Sequence, residues 1–207
     1  MSNIIKAKIT IKGVRPLLLH HFGADALPLE KQERTGVAGH DPEEWRKTVL
    51  VTKQGQLYIE HTYIFATIRD AAKYTKKGKG SIQTAVSATL QVTDDTVLID
   101  RYFPGYPNSK DFDVSSVEAP PQDKDLPVYM DVRSVKNPST KARNVRYRIA
   151  TSPGWSVAFS ILWDKTIVDR NSMQSVLNDA GTLVGIADGR SIGFGRFTVE
   201  SFEVLDS

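Results

Sequence analysis

Strict alternation opens the chain. Ile5, Ala7, Ile9 and Ile11 are interleaved with Lys6, Lys8, Thr10 and Lys12, the period-2 signature of a strand with one buried and one wet face. Apolar character continues to Leu19, so a first strand is expected over Ile5–Leu19, disturbed at Gly13 and Pro16. From Ala24 to Asp41 mixed charges, Pro28, Gly36 and Gly39 erase any period, which predicts an insertion or arm. Asp41 and Pro42 then suit the N-cap and first position of a short helical turn. Val49–Thr52 and Leu57–Ile59, joined through Lys53–Gln56, predict a hairpin. Ile64, Phe65, Ile68, Ala71 and Ala72 fall on one stripe at helical spacing, with Thr62 as the expected N-cap.

Short elements follow: a helical stretch near Gln83–Ser87 and strands at Leu90–Val92 and Thr96–Ile99. The span from Pro104 to Pro127 is proline-rich and carries Asp111, Asp113, Asp123 and Asp125, so a loop facing away from any polyanion is expected. Tyr129–Val132 restarts strand character. Between Arg133 and Arg148 stand Arg133, Lys136, Lys141, Arg143, Arg146 and Arg148, and no acidic residue. Asn137–Thr140 marks a hairpin tip, and Val145, Tyr147 and Ile149 alternate with Arg146 and Arg148. The pattern predicts a basic finger with its apolar side turned to the core.

Trp155, Val157, Phe159, Ile161 and Trp163 mark a central strand with buried aromatic residues. A helix capped by Asn171 carries Met173, Val176, Leu177, Ala180, Leu183 and Val184 on one face. A last strand over Phe197–Val204 slips phase near Ser201, as a bulged strand does. Without its insertions the order is β-α-β-β-α-β, an α+β chain of ferredoxin-like type, the arrangement RNA-recognition domains also use. One domain is expected over residues 1–207, with insertions near 23–48 and 103–127 and the basic hairpin near 128–149.

Composition narrows the chemistry. The chain has 207 residues, 40% of them hydrophobic, and no run near the roughly 18 apolar residues of a membrane span. It enters its first strand without an apolar leader, so a cytoplasmic protein with no membrane partner is expected. Cysteine is absent and the four histidines lack ligand spacing, so neither a metal nor a cofactor is expected. The net charge of +3 is modest, and partners must be argued from where the charges lie.

Three basic stretches stand out. One is the finger. A second is Lys73, Lys76, Lys77 and Lys79 with Gly78 and Gly80, at the C-terminal end of the first long helix, where cations complement the helix dipole and the glycines end the helix. The third is Gly185–Phe197, where Gly189, Gly193 and Gly195 adopt φ > 0 at low cost and bring backbone N–H groups toward an anion beside Arg190 and Arg196. Together they point to the backbone phosphates of a nucleic acid.

Leu18–Gly23 after the opening strand, the helix start over Leu57–Ala72 and the stretch Gly189–Phe197 resemble the RAMP superfamily of CRISPR-associated proteins. The match is to the backbone subunits that polymerise along guide RNA, and to uncharacterised relatives from phages and mobile elements. In such subunits the helix start usually resembles Ile-Pro-Gly-Ser-Ser-Leu-Lys-Gly-Ala-Leu-Arg; here Glu60, His61 and Thr62 replace the Pro-Gly-Ser portion. The resemblance implies sequence-independent binding of single-stranded RNA, guide-type or phage RNA, by copies stacked head to tail in a ribonucleoprotein. The hairpin would serve as a thumb, and other effector subunits would join. Single-stranded DNA stays open as the ligand, and host defence or a phage as the setting. The resemblance also implies enzymatic alternatives: a metal-independent endoribonuclease using His20 or His21 as general acid or base, or target cleavage by Asp25. A self-assembling phage structural protein of the same fold is the third alternative.

Overall fold

The structure is a computed structural model that describes residues 3–23, 41–136, 141 and 143–205. In chain order the elements begin β1 (Ile4–Gly13), β2 (Leu17–Leu19), α1 (Glu44–Thr48), β3 (Gln56–Glu60) and α2 (His61–Ala71). Then come β4 (Lys76–Lys77), β5 (Gly80–Ser81), α3 (Gln83–Thr89), β6 (Gln91–Val92) and β7 (Thr96–Tyr102). The chain closes with β8 (Val128–Lys136), β9 (Arg143–Thr151), β10 (Ser156–Asp164), α4 (Arg170–Asp179) and β11 (Phe197–Leu205). Helices and antiparallel sheets are mixed, an α+β chain. Among the described residues no helix is long and apolar enough to cross a membrane.

Two compact units share the chain. The first takes the described residues of Met1–Leu17, Tyr58–Asp100 and Pro153–Ser207, the second those of Leu18–Leu57 and Arg101–Ser152. The first unit holds a sheet ordered β11-β1-β10-β7-β3, with β6 also beside β10. β1 runs antiparallel to β10 from Ile4↔Asp164 to Lys12↔Ser156, so Ala7, Ile9 and Ile11 meet Ile161, Phe159 and Val157 on one buried face. On its other side β1 pairs with β11, and the expected phase slip is present: Thr10 faces Ser201 while Ile11 faces Val199, leaving Glu200 as the bulged residue. Ile64, Ile68 and Ala71 of α2 and Met173, Val176 and Leu177 of α4 are buried, which is the stripe helical spacing predicts.

Several expected boundaries move, each for a local reason. The first strand stops at Gly13, whose amide donates to the Trp155 carbonyl and where a side chain would run into the Trp155 ring. Pro16 cannot extend a ladder, and Leu17–Leu19 instead forms β2 beside β9. The expected hairpin at 49–59 reduces to the single bridge Val51↔Leu57. α2 follows β3 directly, so Glu60 rather than Thr62 occupies the cap position and no side chain caps the helix. At α4 the cap is Asp169 rather than Asn171. Its Oδ1 accepts from the Ser172 amide at 3.0 Å and its Oδ2 from the Ser172 hydroxyl at 2.7 Å, contacts that hold the carboxyl below the usual range. Asp41 accepts from the Glu43 amide in a turn, and Glu43 precedes α1.

In the second unit β2, β9 and β8 form a sheet, with β8 and β9 in register from Val128↔Thr151 to Lys136↔Arg143. Residues 103–127 contain no helix or strand, as expected, yet they are packed. Phe103 stacks on Trp45 at 5.6 Å, and Phe112 lies 5.1 Å from Phe103 and 5.3 Å from Tyr106. Arg46 crosses the Trp45 ring and donates to the carbonyls of Val114 and Val117, which fixes the loop to α1. Asp111, Asp113, Asp123 and Asp125 remain exposed.

Candidate nucleic-acid interface

The β8–β9 hairpin carries its cations on both faces, not on one. Pairing places Asp131 opposite Arg148 and Arg133 opposite Arg146, and alternation puts these four on one face. Lys136 and Arg143 pair at the far end and share the opposite face with Met130, Ile149, Val132 and Tyr147. Two arginines directly across a ladder repel, so the first face needs carboxylates. Asp131, with a side chain 2% exposed, accepts from Arg133 Nε at 2.7 Å and from the buried Arg148 at 3.3 Å. Those bonds hold the Arg133 guanidinium above its ordinary pKa. Glu44 of α1 takes the other: it accepts from Arg146, and from the Tyr147 amide at 3.2 Å.

The basic finger is therefore half neutral. Arg133, Arg146 and Arg148 are held by carboxylates in its base, while Lys136, Lys141 and Arg143 are exposed toward its end. Arg143 lies 3.5 Å from the Ser134 hydroxyl. The expected tip at Asn137–Thr140 lies outside the described residues, and so does Asp25. His20 Nε2 is 3.3 Å from Glu44 Oε1 and 13% exposed, so it joins the same carboxylate as Arg146. The His21 amide donates to the Thr48 carbonyl at 2.7 Å.

In the first unit the lysine cluster sits beyond α2 on a two-strand ribbon rather than in a last helical turn. Lys76 pairs with Ser81 and Lys77 with Gly80, and Gly78 turns the ribbon at φ 61°. Lys73, Lys76, Lys77 and Lys79 are all exposed. Lys73 lies over the Tyr74 ring, and Lys77 Nζ is 3.4 Å from the Ile167 carbonyl. Among the described residues no carboxylate pairs with these four lysines, nor with Lys136 or Arg143.

The glycine-rich loop does not present bare amides. The Gly185 amide donates to Ala180, Gly189 to its neighbour Asp188, Gly193 to Arg190 and Gly195 to Pro16, all at 2.7–3.2 Å. A built Cβ on Gly195 would stand 1.9 Å from the Ile186 carbonyl oxygen, and one on Gly185 2.6 Å from that of Phe194. These two glycines let backbones pass each other. The loop is clamped to α2: the Thr67 hydroxyl donates to the Gly185 carbonyl at 3.0 Å, and Arg190 reaches Asp70 at 3.3 Å. Arg196 is half-buried, and its carbonyl accepts from Val14 and Arg15.

Tyr63, also on α2, has its hydroxyl pushed up to about 12 by burial and by the charges of Glu60 and Asp188. The folded chain thus holds that proton more tightly than the unfolded one, whose tyrosine titrates near ~10. The stability tied to it is complete below pH ~10 and is lost as pH rises through 12. An ultraviolet tyrosinate titration is expected to show a late phase centred near that pH, with its amplitude reduced by one tyrosine in Tyr63→Phe.

No protein-family model matches the chain, and no curated protein does. One solved structure it is similar to is the cryo-EM structure of the Type III-B Cmr-beta bound to cognate target RNA. The match is 15% identical at a TM-score of 0.48, and it covers 98% of this chain and 61% of that chain. The chain thus spans about three fifths of that neighbour's length.

Sequence reading brought the cations to light but missed their partners. Asp131 sits two residues before the all-basic stretch and Glu44 lies 102 positions before Arg146. Only a count of residue parity from a known register would have shown that Asp131 shares a face with Arg133 and Arg148.

Proposed function

We propose that the chain binds single-stranded RNA through its phosphates, without sequence preference, as a repeating subunit of a ribonucleoprotein. The observation that carries this reading is the sorting of cations. Those needed to close the hairpin base are neutralised by Asp131 and Glu44, while Lys136 and Arg143, with the Lys73–Lys79 ribbon, are exposed without a carboxylate among the described residues. A surface serving solubility alone mixes its signs. The strand order β11-β1-β10-β7 supports a ferredoxin-like core, with the second unit as an elaboration of one RAMP-like domain. Stacking of copies head to tail, with other effector subunits alongside, completes the proposal.

The reading assigns Arg133 and Arg148 to folding, and gives Arg190 and Arg196 a structural share beside any phosphate contact. Filter binding to oligouridylate tests it. Lys76→Ala/Lys77→Ala and Lys136→Ala/Arg143→Ala are each expected to weaken binding several-fold with little change in thermal stability. The charge-matched Lys6→Ala/Lys8→Ala is expected to bind as wild type. Equal affinity in all four proteins overturns the assignment. Tighter binding to oligothymidylate transfers the reading to DNA, and cleavage of labelled RNA that is lost in His20→Ala transfers it to a ribonuclease.

A further inference from the structure

Three stripes of α2 face three different things. Ile64, Ile68 and Ala71 are buried in the core; Tyr63, Thr67 and Asp70 lie toward the glycine-rich loop. The third stripe, His61, Phe65 and Arg69 with Thr62 and Ala66, lines an open groove of about 520 Å³ whose remaining wall is Gln91 and Val92. A volume of that size accepts a small organic ligand. No sequence motif drew attention to it, because Phe65 reads as part of the core stripe, whereas the structure leaves its ring only partly buried.

The order of chemistry along the groove is specific. His61, Phe65 and Arg69 stand four residues apart, so a ring is flanked on each side, at a rise of roughly 6 Å, by a nitrogen group able to meet an anion. His61 lies 3.9 Å from Asp95, and Arg69 2.8 Å from Asp70, but the His61 and Arg69 side chains are 45% and 42% exposed. Ion pairs so exposed are weak and yield to a phosphate. A single strand presents the matching sequence along its own length, phosphate, base, phosphate, and its bases stack on aromatic rings and guanidinium planes.

We propose that this groove holds one nucleotide, its base against Phe65 and the phosphates on its 5′ and 3′ sides at Arg69 and His61. Where that nucleotide belongs to a bound strand, the inference rests on the RNA-binding reading above; a free mononucleotide offers the base and one of the two phosphates. The experiment has two arms. In the first, oligoadenylate carrying 2-aminopurine is titrated into wild type, Phe65→Ala and Ala66→Trp, the last filling the groove without removing a packed ring. In the second, adenosine monophosphate is titrated calorimetrically into the same proteins.

The expected result is a 2-aminopurine emission change in wild type that is lost in both variants, with strand affinity down roughly 5- to 150-fold in Phe65→Ala. The salt dependence should be unchanged, because no cation is removed. If the strand binds and its emission change is the same in all three proteins, the groove inference is overturned and the RNA reading stands. If no strand binds but adenosine monophosphate does, and Ala66→Trp abolishes it, the groove is a free-nucleotide site and the RNA reading falls. Binding in neither arm overturns both. Thermal melts of the variants show that a lost signal is not lost fold.

Discussion

Gly195→Ala is expected to remove much of the chain's folding stability. A methyl at that position would lie 1.9 Å from the Ile186 carbonyl oxygen and 2.8 Å from its amide nitrogen, both main-chain atoms of a residue whose amide donates to the Gly195 carbonyl at 2.9 Å. Neither can move without breaking the contact between the loop and the strand that follows it. The backbone there is also at φ 66°, a left-handed conformation costing an L-residue about 1–2 kcal/mol by itself. The total should exceed about 4 kcal/mol, the exceptional end of single substitutions. Gly193→Ala separates the two contributions, because its φ is 91° and nothing stands within 4 Å of its Cβ position. It should lose only about 1–2 kcal/mol. Urea denaturation of both variants checks this, and equal losses would mean the glycines serve conformation alone.

Asp131→Ala is expected to cost about 3–5 kcal/mol, because it takes a buried carboxylate away from Arg148, whose side chain is 5% exposed, and from Arg133. It also leaves Arg133 and Arg146 facing each other across the ladder, with Arg146 still held by Glu44. Replacing the pair together, as Asp131→Leu/Arg148→Met, should recover most of the loss, since two apolar side chains of similar volume need no desolvated charge. A double variant no more stable than Asp131→Ala in thermal unfolding would show that Arg148 contributes something besides charge balance.

Periodic elements were legible in the sequence and their junctions were not. The alternation of Ile5–Ile11 and of Trp155–Trp163 placed the two central strands, and the slip at Ser201 located the bulge, because each reports local pleat geometry. Helix caps were misplaced by two residues at both Thr62 and Asn171, since cap preference competes with where the preceding strand ends. The packed loop at 103–127 was invisible as packing: its aromatic residues meet Trp45 across more than fifty positions and have no period. The charge surface divided in the same way. Runs of lysine and arginine show in one dimension, whereas the carboxylates that neutralise half of the hairpin are brought there by register and by α1.

The glycine-rich loop illustrates a wider point. Glycines and arginines in that spacing suit an anion cradle, but the same composition also builds a crossing of two backbones, and here every glycine amide in the loop already donates inside the chain. Anion sites on this protein are better sought at cations for which the fold has no use.

The most direct test is the salt dependence of single-stranded RNA binding. For single strands, log affinity falls by about 0.7 per neutralised phosphate for each log unit of salt. Oligouridylate titrated across a series of sodium chloride concentrations should therefore give a slope for Lys136→Ala/Arg143→Ala shallower than wild type by about 1.4. A wild-type slope near zero, or one that the double substitution leaves unchanged, would contradict the account.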